Sequence, residues 1–182
     1  MLEARERARR GYFSLLEPYF DAVEFLRDNR IGYDWIVYLS AQDFPTRPLR
    51  DLESLLADPI CDAFLRYWDV RDPANPWGRP KQGIRRYFYQ YRDAPAAARP
   101  LLPILRRLNG VQPFVHTHLT YGPRVGVRRN PPFATCFGGK QWTTLRRQCA
   151  EYVIDRVREN GDVVGWFRRT VCPDEAVVQT LL

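Results

Sequence analysis

"YDWIVYLS", residues 33–40, runs straight into "AQDFPTRP", residues 41–48, and the reading of this junction decides the fold. The first stretch is almost continuously apolar and of strand length, which suggests a strand covered on both faces. It then gives way to Ser40, Gln42 and Asp43, and Pro45 and Pro48 stop any further pairing. Upstream, "GYFSLLEPYFDAVEFLRDN" (11–29) has apolar residues at helical spacing, with Pro18 marking either a kink or the helix start. Downstream, "LRDLESLLADP" (49–59) reads as a short helix and "CDAFLRYWDV" (61–70) as a second strand. Residues 71–135 are rich in Pro, Gly and Arg, with a proline-broken helix "AAARPLLPILRRLNG" (96–110) among them.

The pattern continues to the end. "FATCF" (133–137) reads as a third strand, and "WTTLRRQCAEYVIDRVRENG" (142–161) as a helix capped by Thr143 or Thr144 and stopped at Asn160–Gly161. "DVVGWFRRTV" (162–171) reads as a fourth strand, and "CPDEAVVQTLL" (172–182) opens a helix. Alternating strands and helices in 182 residues predict one α/β domain. In open α/β sheets ligands lie outside the carboxyl ends of the strands, which is where Asp43 falls. Asp43 then either walls a pocket or is a turn carboxylate bonding its own backbone before Pro45.

The net charge of +7 is carried almost wholly by arginine, Lys81 and Lys140 being the only lysines. Such a balance suits nucleic acid, acidic headgroups or a phosphate-bearing small substrate, although dispersed arginine pairs are also ordinary solvated surface. No stretch approaches the ~18 apolar residues of a membrane helix, and no apolar run follows the charges of "MLEARERARR" as a signal peptide requires. Cys61, Cys136, Cys149 and Cys172 lie far apart without C-x-x-C spacing, so reduced thiols are expected and zinc is not. His116 and His118 form an H-x-H pair, a weak metal signal by itself.

Pro173 suits the first position of a helix, which places Asp174 and Glu175 in its first turn, where the macrodipole favours negative charge. Two readings follow: capping, or a rigid carboxylate kept ionised to act as a general base.

Taken in order, "YDWIVYLSAQDFPTRPLRDLESLL", "CFGGKQWTTLRRQCAEYVID" and "CPDEAVVQTLL" resemble the Core-2/I-branching glycosyltransferases. That family includes the β-1,6-N-acetylglucosaminyltransferases and the protein O-xylosyltransferases. "GYFSLLE" and "RPKQGIRRYFYQY" are weaker matches, so the likeness spans about residues 9 to 182. The resemblance implies a GT-A-like sheet with flanking helices that transfers GlcNAc or xylose from a UDP-sugar to an acceptor hydroxyl, with inversion. The acceptor would be a glycan, a protein or another hydroxyl compound. Glu175 stands at the family's catalytic base, in its Pro-x-Glu motif. Gln141 and Trp142 stand in the donor-touching Gly-Ser-x-Trp segment, with Gly139 and Lys140 replacing Gly-Ser, and Asp43 stands at the donor-side strand end. Lys81, Arg85 and Arg86 fall in the basic-aromatic stretch and are assigned to the acceptor side.

Several members of the family work without a divalent metal, and this sequence has no D-x-D, so UDP-sugar is expected as co-substrate with no metal or other cofactor. The resemblance also implies a single partial domain, 1–182, lacking the family's uracil-holding strands before it and its diphosphate-gripping basic residues after it. Arg10 stands in place of the usual Trp, and "AVV" in place of Ser-Phe-Phe after Glu175. Two rivals remain open. One is a non-catalytic remnant of this fold. The other, less favoured, is a nucleic-acid-binding module using the arginines and aromatics of "RRYFYQYR" (85–92).

Overall fold

In the computed structural model, residues 8–58, 60–77, 81–101, 103–104, 114–118 and 122–182 are described, 114–118 as backbone. Along them run α1 (Glu17–Asp28), β1 (Trp35–Val37), α2 (Leu49–Ala57), β2 (Ala63–Phe64), β3 (Tyr67–Asp69), α3 (Gln82–Tyr87) and β4 (Tyr89–Asp93). β5 (Phe114–His118), β6 (Gly122–Arg128), β7 (Phe137–Gly139), β8 (Thr144–Arg146), α4 (Arg147–Glu159), α5 (Gly161–Phe167) and α6 (Val177–Leu181) follow. Pro18 lies in the first turn of α1, where its missing N–H costs no hydrogen bond, so it starts the helix and does not kink it.

Helix α1 buries Tyr19, Phe20 and Val23, and α4 buries Ala150, Val153 and Ile154, each set spaced along one helical face. The two helices pack together, and Leu16, Phe13, Leu145, Phe167, Val177 and Val178 join the same core. Each fully buried Val, Leu, Ile or Phe contributes about 1.5–3 kcal/mol. At the rim Arg27 meets Asp155 at 2.7 Å and Arg158 meets Glu24 at 2.9 Å. These half-exposed pairs each add about 0–1 kcal/mol, so the apolar stripe decides the packing.

Helix and strand are mixed as expected, but the strand pairings among the described residues are all antiparallel and fall in three small sheets. Their orders are β1-β8-β2, β3-β7 and β4-β6-β5. β1 is therefore an edge strand with all three residues half-buried, not a strand covered on both faces. Trp35 Nε1 donates to the Leu56 carbonyl at 3.0 Å and holds α2 nearby, yet α2 itself buries no residue.

Several boundaries differ from the sequence reading, for identifiable reasons. Thr144–Arg146 form the central strand of their sheet, so α4 starts at Arg147 and neither Thr143 nor Thr144 caps it. Backbone pairing on both sides of Leu145, which is fully buried, outweighs the helical propensity of "TLRRQ". "DVVGWFRRTV" is not a strand: Gly161–Phe167 form α5, burying Val164 and Phe167 three positions apart. Its β-branched residues suggested a strand, and tertiary packing overrode them. "CDAFLRYWDV" splits at Leu65–Arg66 into β2 and β3, and the strand at "FATCF" begins only at Phe137. Of "AAARPLLPILRRLNG", Ala96–Leu101 form a 3-10 helix containing Pro100, and residues 105–110 lie outside the described set.

Gly139 shows how closely these elements approach. It pairs with Tyr67, and a Cβ at this position would run into the Arg66 carbonyl oxygen and the Gln179 side chain. Because one obstacle is backbone, a side chain cannot simply swing away. Gly139→Ala is expected to cost about 1–3 kcal/mol, measured as a lower urea midpoint with unchanged m. An unaltered midpoint would mean that β3 and β7 yield freely.

Candidate functional site

The turn that carries Glu175 is built from an unusual backbone. Cys172 adopts a left-handed conformation (φ 52°), rare for a residue with a Cβ, and its N–H reaches the Gly11 carbonyl at 3.2 Å. Pro173–Glu175 then form a 3-10 turn, and α6 begins only at Val177. Asp174 and Glu175 therefore do not sit in the first turn of an α-helix, and macrodipole stabilisation is not what holds them.

The two carboxylates have different environments. Glu175 is partly exposed and pairs with the Arg86 guanidinium. Arg86 also lies over the Trp77 ring, 4.9 Å from its centroid. Asp174 is only 7% exposed, and its Oδ1 has no hydrogen-bond partner among the described residues. Burial pushes its pKa up to about 6, and the neighbouring Glu175 adds to the rise, against the opposing pull of Arg86 and Arg10. Asp174 is thus still mostly ionised at pH 7 but takes up its proton about two pH units above an ordinary aspartate, because desolvation exceeds the local positive charge.

Three segments distant in sequence meet beside this turn. Gln141 Nε2 donates to the Tyr38 hydroxyl at 3.1 Å, and the Tyr38 ring packs against Trp142 with centroids 5.3 Å apart. Tyr38 N–H donates to the Thr143 carbonyl at 2.9 Å, continuing the β1–β8 ladder by one residue. Gln179 Nε2 donates to the Lys140 carbonyl at 2.8 Å, tying the 139–142 segment to the helix that follows Glu175. Burial raises the Tyr38 pKa, Gln141 opposes the rise, and the charge of Asp174 reinforces it. Trp142 remains 41% exposed and offers an open aromatic face.

The other sequence candidates separate. Of the basic trio, Arg86 reaches Glu175, whereas Lys81 and Arg85 are exposed. Lys81 holds a left-handed backbone (φ 63°) just before α3. Asp43 is exposed, and its Oδ2 accepts the Ser40 N–H at 2.7 Å, while its own N–H donates to the Ser40 carbonyl at 3.1 Å. This is the turn carboxylate bonding its own backbone. Sequence reasoning missed Tyr38 as a member of the cluster. Its signal was its place as the last aromatic of the strand, two residues before Ser40.

The arrangement offers a partly open carboxylate oriented by one arginine, a buried carboxyl that titrates near neutrality, and an exposed indole face beside a tyrosine and an amide. It can take up a proton and receive a flat, hydroxyl-rich ring. Thiol chemistry does not fit here, because burial pushes the Cys172 pKa up to about 11 and that of Cys136 up to about 12. Among the described residues no group of three or more His, Cys, Asp or Glu side chains could hold a metal ion. His116 and His118 lie on β5, with their side chains outside the described set, as are Arg79 and Pro80.

Asp174 makes stability pH-dependent in a defined direction. Its folded-state pKa lies above its unfolded value, so the stability it allows is complete below about pH 4 and is lost as pH rises through about 6. Asp174→Asn should match the natural protein near pH 4 and exceed it by ~2–3 kcal/mol at pH 7.5, in urea unfolding at both pH values. A natural protein more stable than the variant at pH 7.5 would show that the carboxylate finds a partner.

No family model matches the chain, and neither does any curated protein.

Proposed function

We propose that this chain carries the base-bearing part of an inverting, UDP-sugar-dependent glycosyltransferase centre of the Core-2/I-branching type, built on a GT-A-like fold. Glu175 is the general base in this reading. It removes the proton of the acceptor hydroxyl as that oxygen attacks the anomeric carbon, and UDP departs from the opposite face. Arg86 orients the Glu175 carboxylate, and Trp142 with Gln141 and Tyr38 supports the sugar. A single displacement needs one base, not the paired carboxylates of a retaining hydrolase.

The observation that carries this reading is the juxtaposition of the three resembling segments. Tyr38 at the end of β1, Gln141–Trp142 after β7 and the Pro173–Glu175 turn are linked by the Gln141–Tyr38 and Gln179–Lys140 hydrogen bonds. Asp43 supports the strand-end turn in this scheme instead of touching the donor. The nucleic-acid alternative loses ground on burial. Of the four aromatics that would stack on bases, Tyr87, Phe88 and Tyr91 are 0%, 6% and 2% exposed, and Tyr89 is half-buried.

Glu175→Gln keeps shape and hydrogen-bonding reach but cannot accept a proton. In a version of the protein that also carries the donor-binding segments the resemblance calls for, UDP-GlcNAc or UDP-xylose turnover in the presence of hydroxyl acceptors is expected to fall ~10²–10⁴-fold, with UDP affinity by calorimetry nearly unchanged. Turnover that survives the substitution removes Glu175 as the base. A protein that binds neither UDP nor UDP-sugar is the non-catalytic remnant.

A further inference from the structure

A second concavity lies between the β4–β6 sheet and α5, and it shares no residue with the Glu175 cluster. It measures about 910 Å³, near the top of the roughly 300–1,000 Å³ range of small-ligand clefts. Strand alternation builds its floor. Gln90 pairs with Val127 and Arg92 with Val125, so these four side chains share one sheet face, with Arg129 two residues further on. Tyr89 and Tyr91 point to the other face. Opposite the floor stands α5, where a Cβ added at Gly161 or Gly165 would meet nothing within 4 Å, so the helix leaves the space open. Gln90 Nε2 donates to the Trp166 carbonyl at 3.2 Å and fixes the two walls together.

The chemistry of this lining is specific. Arg92, Arg129 and Arg169 all line the groove and are exposed, and none forms an ion pair with another described residue. Asp162 and the half-buried Trp166 line it too. Three free guanidinium forks call for planar anions such as carboxylates. A carboxylate within the same lining disfavours a ligand that is anionic throughout, and it suits one that also offers hydroxyl donors. An apolar valine floor and an indole suit the flat C–H faces of pyranose rings.

We infer that this groove is a binding site for an acidic oligosaccharide, one whose sugar rings carry carboxylates. Arg92, Arg129 and Arg169 hold the carboxylates, Asp162 and Gln90 accept ring hydroxyls, and Val125, Val127 and Trp166 receive the ring faces. The inference stands on the groove alone and does not depend on transferase activity.

Calorimetric titration with tetragalacturonate at about 50 mM salt tests it without any transfer reaction. Binding is expected, at least 10-fold tighter than for the neutral maltotetraose and for hexathymidylate. Arg92→Gln and Arg129→Gln should each weaken it by about 10-fold, as charge-assisted hydrogen bonds of this kind do. Gly165→Leu fills the groove from the helix side and replaces a poor helix former, so it should abolish binding while the thermal midpoint holds or rises. The inference is overturned by absence of tetragalacturonate binding, by equal or tighter binding of maltotetraose or hexathymidylate, or by a folded Gly165→Leu variant that binds as the natural protein does.

Discussion

The Tyr87 side chain is the contact through which the two halves of the candidate site are brought together. Its hydroxyl donates to the Cys172 carbonyl at 2.9 Å, its ring meets Phe167 edge-on, and its own carbonyl accepts the Trp166 indole N–H at 2.9 Å. It is fully buried, and burial raises its pKa well above that of an ordinary tyrosine, so it remains a neutral donor. With Tyr87 locked against the 166–172 segment, the preceding residue has little choice of direction. Arg86 emerges from α3 facing the Pro173–Glu175 turn, and the ion pair with Glu175 follows from where its neighbour is anchored.

This coupling makes the site a product of packing more than of local propensity. A short 3-10 turn after a left-handed cysteine has little stability of its own. It persists because Pro173, Ala176, Val177 and Val178 are buried beneath it and because Gly11 and Tyr87 hold Cys172 from two sides. The cost of the arrangement is concentrated in Asp174, whose carboxyl is desolvated with one oxygen unpaired. Its charge reinforces the rise in the Tyr38 pKa, and the Tyr38 ring in turn packs against Trp142.

What could be read from the sequence depended on whether the signal was local. The faces of α1 and α4 were legible because their apolar residues repeat with helical period, and Pro18 marked the start of α1. Non-local pairing was not legible. Thr144–Arg146 look like the first turn of a helix until β1 and β2 claim them from both sides, and nothing in "YDWIVYLS" discloses that its partner strand runs antiparallel. The environments of Asp43 and Asp174 were not legible for the same reason. Exposure and desolvation are set by distant segments, so a carboxylate at a strand end and one at a supposed helix start carry no mark of which will be solvated. Glu175 could be singled out by its motif, but its arginine partner was only one of three basic candidates.

The same non-locality governs how the molecule can come to be folded. β1 pairs with β8, α1 packs on α4, Gly11 bonds Cys172, and Arg168 reaches Glu17 across 151 positions of sequence. The pairing of β1 with β8 and the packing of α1 on α4 both join segments more than a hundred positions apart, so closure entropy must be met before these contacts stabilise the fold. During synthesis the segment containing "YDWIVYLS" therefore leaves the ribosome long before its partner strand exists. Its apolar run stays uncovered in the meantime, a condition that favours slow assembly and exposes the segment to aggregation.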